Sequence, residues 1–222
     1  MVTVVTDVGR TSRAEQVGAT RQQILATAER LFAEQGLYAV SNRQISAAAG
    51  QGNNAAVGYH FGTKADLVRA IVRRHTERIE SLRLDMVSEA GESADVRDWI
   101  ACLVRPVATH LDSLGDPTWF ARFGAQVMTD PAFRGIMVEE AMATSSLRQV
   151  LSGLDGCLRE LPAEVRAERS DMIAHLMVHV FAERERALAD RTATARATWD
   201  EAATGLVDAI TGLWLAPVTR RS

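Results

Sequence analysis

Apolar residues recur at three- and four-residue intervals along most of the chain, and glycine, proline or capping side chains stand at the breaks. Ile24, Leu25, Ala28, Leu31 and Phe32 form the first stripe, opened by a Thr20–Gln23 capping box and closed at Gly36. Ser41 with Gln44 opens a short helix through Ile45, Ala48 and Ala49 that stops at Gly50. Asn53 or Asn54 can cap a third helix through Ala55, Ala56, Val57 and Tyr59. Thr63 with Asp66 opens a long helix through Leu67, Ile71, Ile79 and Leu82, broken at 91–93. Further helices are predicted at 95–112, 117–129, 131–156, 163–190 and 195–215, with Pro131 and Pro162 at helix starts. Neither alternating strand patterns nor Asn-Gly or Asp-Gly hairpin signals stand out. The pattern predicts an all-α fold of about nine helices.

Two of the early helices are short and separated by a tight, Gly-containing turn, the outline of a helix-turn-helix module that places one helix end in a DNA major groove. Charge agrees with that outline. The net charge is −3, yet residues 1–74 hold nine Arg or Lys against five Asp or Glu, a balance of +4 that leaves −7 on the rest. A basic end on an acidic body suits a protein that touches nucleic acid with one end only.

Cys102 and Cys157 lie in apolar helical patterns and form neither a CxxC pair nor a disulfide framework, which suits a reducing compartment. The opening MVTVVTDVGRTSR is apolar only briefly, and no run of 18 apolar residues occurs. The expectation is a soluble chain in the cytoplasm without a membrane partner.

LFAEQG at 31–36, SNRQI at 41–45, AAAG at 47–50 and YHFGTKADL at 59–67 together resemble the tetracycline-repressor (TetR) family of one-component regulators. These motifs cover about a third of the chain and coincide with the helix boundaries predicted above. The stretch GQGNNAAVGY at 50–59 is about two residues longer than that family's usual turn and recognition helix. The expected division is an N-terminal arm (1–19), a DNA-binding domain (20–66) and an effector-binding and dimerisation domain (67–222).

Candidate DNA contacts follow from side-chain chemistry. Asn53, Asn54 and Ala55 form a slim helix front that can enter a major groove about 12 Å wide, where Asn reads adenine. Tyr59 and His60 offer an O–H and a ring N–H to phosphate, a role the resemblance also implies for them and for Lys64. Thr63 and Lys64 open the long helix, where its N–H groups could meet phosphate. Arg43 and Gln44 divide between phosphate contact and solvated surface, as do Arg10, Arg13 and Arg21 as a basic arm.

Large apolar side chains, including Trp99, Cys102, Trp119, Phe120, Phe123 and Met137, cluster between 99 and 142. Composition alone reads them as core, whereas the resemblance implies a cavity for a largely apolar small-molecule effector among these helices. Met172, His175, Leu176 and His179, with Leu206, Ile210 and Leu213, form two stripes suited to a four-helix homodimer seam. His175, His179 and Glu183 are spaced four apart, but no HExxH accompanies them, and a packed or interface histidine is the better reading. No metal, cofactor or catalytic constellation is expected, so no enzyme is expected. The resemblance implies a repressor that binds a palindromic double-stranded operator as a homodimer and is released by its effector. The alternative is a ligand-binding or interaction protein without operator binding.

Overall fold

The computed structural model describes residues 13–219, which form an all-α fold of ten helices. α1 (Arg13–Gln35) begins before the Thr20–Gln23 box. Residues 13–19 contain good helix formers and a single glycine, so they continue the helix in register instead of forming part of an arm. Arg10 and the Arg13 side chain lie outside the described residues. α1 ends at Gly36, whose φ of +87° is a backbone state that only glycine adopts at little cost.

α2 (Asn42–Ala48) and α4 (Lys64–Ala90) start at the predicted Ser41–Gln44 and Thr63–Asp66 boxes, both reciprocal. The short α3 (Ala56–Phe61) lies between them. α4 crosses the expected boundary at 66–67 without a break. Beyond it come α5 (Val96–Ser113), α6 (Phe120–Thr129), α7 (Arg134–Met142), α8 (Ser145–Cys157), α9 (Ala163–Ala189) and α10 (Trp199–Leu215).

The single helix expected over 131–156 is two helices, α7 and α8. A side chain from elsewhere in the fold sets this break. The Glu80 carboxylate of α4 accepts from the Ser145 and Ser146 amides, and from both of their hydroxyls. A negative charge there satisfies N–H groups that have no partner within the helix.

α5 is the central element, packed on α4, α8 and α10, while α6 packs on α9 and α1. The Trp99 indole covers the backbone of Gly153, leaving no space there for a Cβ, and its N–H donates to the Ser93 carbonyl. Phe32 of α1 stacks on Phe123 of α6 with centroids 6.3 Å apart, both fully buried. Among the described residues, no helix is long and apolar enough to cross a membrane.

A buried polar chain joins α1, α4 and α5. The His75 Nε2 donates to the Glu29 carboxylate at 2.9 Å, so its Nδ1 accepts from His110 Nε2 at 2.7 Å. The remaining His110 nitrogen, Nδ1, has no hydrogen-bond partner among the described residues. A proton added there would have nothing to bond with. Burial first, then the neighbouring His75, Arg78 and Arg74, push His110 down to about 4. Unfolding restores the ordinary value near 6.5, so the unfolded chain takes up a proton that the folded chain refuses. The stability from a neutral His110 is therefore complete above about pH 6.5 and is lost as pH falls towards about 4. Thermal melts across that window should show a steeper fall in Tm for the parent chain than for His110→Gln. Equal slopes would mean that this imidazole does not carry the dependence.

Candidate nucleic-acid interface and adjoining cavity

The short helices α2 and α3 are held by their own connection. Ser41 accepts from the Gln44 amide, and the Gln44 side chain accepts from the Ser41 N–H and hydroxyl. At the other end of α2, the Gly50 N–H donates to Ala47 O and the Gln51 N–H to Ser46 O, with Gly50 at φ +66°. This paired closure of a helix end requires a left-handed residue at that glycine. The Ser46 hydroxyl, fully buried, donates to the Asn54 carbonyl and anchors the far side of the turn. Residues 49–55 form the connection between α2 and the six-residue α3.

Asn53 does not cap α3 as its N-cap residue; that position is Ala55, without a side-chain bond. Instead Asn53 Oδ1 accepts from the Ala55 N–H at 2.9 Å, a local turn that competes with capping. Arg43, Asn54, Ala55 and Tyr59 are exposed on this module, with Tyr59 at 82% of its surface. The Tyr59 ring meets His60 edge-on at 5.0 Å, and His60 is half-buried. Arg21, expected on an arm, is fixed to α3 by donating to the His60 carbonyl and lying 4.2 Å over the Phe61 ring.

Two expected phosphate ligands are engaged within the protein. The Lys64 ammonium donates to the carbonyls of Leu37 and Val40 at 2.7 and 2.8 Å, and burial pushes its pKa down. The Thr63 hydroxyl donates to Asp66 at 2.6 Å, and that carboxylate also accepts from the Thr63 N–H. These bonds hold Asp66 below the usual carboxylate range, so an anion already occupies part of the α4 N-terminus where phosphate was expected. Sequence spacing could not show this, because the carbonyls that capture Lys64 belong to the connector between α1 and α2.

Below this module lies a cavity of about 330 Å³, bounded by α4 to α9. Of the six side chains expected around an effector, Phe120 and Met137 line it. Trp99, Cys102 and Phe123 are buried core, and Trp119 is half-buried at the N-cap of α6. They face neighbouring helices: Trp99 covers α8 and Phe123 meets α1. The wall includes residues not singled out in the sequence, among them Ile79, Arg83, Leu111, Met177 and Phe181.

α4 holds Arg83 in that wall through a vacancy in α5. Pro106 has no N–H, so the Cys102 carbonyl four residues earlier lacks its helical donor. Arg83 Nε supplies one at 3.1 Å.

The two expected dimer stripes divide. Met172, His175 and His179 of α9 are exposed and Leu176 is half-buried, whereas Leu206 and Ile210 of α10 are buried within the subunit. Leu213 is half-buried against the core. α10 packs its large side chains onto α5 and turns small ones outward, so its apolar periodicity records the intrachain face. His175 Nδ1 donates to the Asp171 carbonyl at 2.7 Å, and no cluster of metal-ligating side chains occurs among the described residues. Replacing Lys64 with Met should remove two charge-assisted bonds and destabilise the chain by about 2 kcal/mol in urea unfolding. Unchanged stability would mean that the ammonium is solvated and free for other partners.

Residues 24–71 match the family described as bacterial regulatory proteins, tetR family. Over 123 residues the chain is 29% identical to the HTH-type transcriptional repressor AcnR of Corynebacterium glutamicum, covering 54% of this chain and 57% of that protein. The match thus spans little more than half of the relative's length. The TetR-family transcriptional regulator PfmR from Thermus thermophilus superposes with a TM-score of 0.52 at 19% identity, covering 85% of this chain and 96% of the other. Exposed groups on α2, the 49–55 turn and α3 fall within the matched residues, and the fold over 85% of the chain is shared with that solved structure. Over residues 24–71 the chain is thus similar to the tetR family of bacterial regulatory proteins, and it shares the fold of a solved TetR-family regulator.

Proposed function

We propose that the chain is a cytoplasmic transcriptional repressor, not an enzyme, which binds a palindromic operator as a homodimer and leaves it when a small molecule enters the α4–α9 cavity. The observation that carries this reading is the exposed face of Arg43, Asn54, Ala55 and Tyr59 inside the residues that match the family. The relative AcnR, named a transcriptional repressor, supports repression over activation.

In this reading Asn54 and Ala55 meet base edges and Arg43, Tyr59 and His60 meet phosphate. Gln44 keeps only its amide N–H₂ for DNA, because its oxygen is used in the α2 cap. Asn53 and Thr63 shape the backbone, and Lys64 positions α4; these three are support and not contact. Selection of bound duplexes from a random pool, followed by titration across salt concentrations, tests the assignment. Asn54→Ala should cost about 1–3 kcal/mol on the selected site and little on random DNA. Arg43→Ala should weaken both and lower the log–log salt slope by about one. A chain that selects no duplex at all would be a ligand-binding protein without operator binding.

Dimerisation through α9 and α10 is supported by the outward faces of both. Met172, Leu176 and Val180 stand on α9, beside Ala202, Gly205, Ala209 and Gly212 on α10, small side chains that let helices approach closely. Leu176→Glu with Ala209→Glu should yield folded monomers by sedimentation equilibrium, with operator affinity lost. Persistence of a full-strength dimer would place the interface elsewhere.

Coupling runs through α4. Thr76, Ile79 and Arg83 line the cavity, while Arg69 and Arg73 pair with Glu140 of α7 at 2.9–3.0 Å. His75 of α4 stacks on the cavity residue Phe120 at 3.8 Å and bonds to Glu29 of α1. A ligand that moves this wall therefore acts on the helices that seat the DNA module, and differential affinity for two arrangements is what release requires.

A further inference from the structure

The cavity wall is apolar on almost every side, with Leu103, Val107, Leu111, Phe120, Met177 and Phe181 among its residues. Thr76 and Arg83 are its two polar members among the described residues. Arg83 is 6% exposed and, among the described residues, makes a single hydrogen bond, from Nε to the Cys102 carbonyl. No carboxylate lies within salt-bridge distance of it among the described residues. Glu80, one turn earlier on α4, is already committed to the amides and hydroxyls that start α8. Both terminal nitrogens of the guanidinium, with four N–H donors, are thus left without a protein acceptor at the edge of an apolar chamber.

A buried, unpaired guanidinium is costly, and arginine does not escape that cost by giving up its proton. Deletion of the charge would be the simplest route to a stable core. Instead the fold holds the group by the carbonyl that Pro106 leaves free, and that bond uses Nε alone. Such a fork matches a carboxylate in two parallel hydrogen bonds, and a low-dielectric wall strengthens them. The volume, about 330 Å³, sits at the lower end of the range of small-molecule sites, about 300–1,000 Å³.

We infer that the cavity takes an amphipathic monocarboxylate, its apolar body against the α5, α6 and α9 side chains and its carboxylate on the Arg83 guanidinium. This inference rests on the effector reading of the cavity and gives that effector a chemical class. Because Arg83 belongs to α4, the ligand's charge acts directly on the helix that leads to the DNA module. The carboxylate takes the terminal nitrogens while Nε keeps the Cys102 carbonyl, so the ligand joins the contact between α4 and α5.

The test is calorimetric titration of the full chain at neutral pH with decanoate, methyl decanoate and decylammonium. Decanoate should bind at least ten-fold more tightly than either of the others. Arg83→Met should bring decanoate down to the level of the ester while leaving the ester unchanged, and Arg83→Lys should restore part of the preference. Equal affinity for decanoate and its methyl ester in the parent chain overturns the inference without any variant, as does an Arg83→Met chain that keeps the preference. Failure of all three probes to bind overturns it too. A gel shift with the selected duplex separates the two readings. Decanoate binding that shows the charge preference but leaves the complex with DNA intact upholds the ligand class and refutes release by effector.

Discussion

The tie between Lys64 and the carbonyls of Leu37 and Val40 sets the relation between the two ends of the molecule. Those carbonyls lie in the connector that joins α1 to α2, and the ammonium that binds them is the first residue of α4. α4 then runs without interruption to Ala90. At about 1.5 Å per residue, Lys64 and Arg83 are about 28 Å apart along one rigid rod. In the proposed mechanism a shift at the cavity would reach the helix-turn-helix through this rod, since no linker interrupts it. The same tie explains why the lysine is ill-suited to a phosphate role while remaining indispensable to the geometry.

Buried polar groups supply most of the remaining long-range order. Glu29, His75 and His110 connect α1, α4 and α5 through two hydrogen bonds, and Phe120 of α6 stacks on the middle ring. On the opposite side, Glu185 of α9 accepts from the Ala121 and Arg122 amides and from Arg122 Nε, capping α6 with a carboxylate from another helix. Burial pushes Glu185 up, and the hydrogen bonds and the Arg122 charge oppose that rise. Glu80 performs the same service for α8. Two helices, α6 and α8, thus have their starts capped by side chains distant in sequence. Such groups are costly when half-satisfied and rigidify the fold when complete.

Arg83 is bonded at one nitrogen only among the described residues. Its position nevertheless follows from simple rules. Leu67, Ile71, His75, Ile79, Arg83 and Val87 recur every four residues along α4, a row that winds slowly around the helix, and all are buried. The two polar members of that row, His75 and Arg83, are the ones that reach a network and a cavity. Pro106 adds the second clue, because a proline inside a helix always leaves a carbonyl in search of a donor.

The sequence by itself determined the helical class, the resemblance to the TetR family and the starts of α2 and α4, because capping boxes and apolar periodicity are local and their partners lie within four residues. It also carried the exposed candidates Arg43, Asn54 and Tyr59, since the motif places them in a short module with few alternative arrangements. Only the tertiary structure decided where Lys64 and Arg21 spend their hydrogen-bonding capacity, because the competing acceptors are brought near by folding. The same holds for the split between α7 and α8, which depends on Glu80, some 65 residues away along the chain. It holds for the cavity, where an aromatic stripe looks identical whether it faces a void or another helix: Phe120 reaches the chamber, while Phe123 fills the seam against Phe32. It holds for α10, whose apolar face belongs to its own subunit. Periodicity reports that a face is buried; which surface buries it is settled by packing in three dimensions.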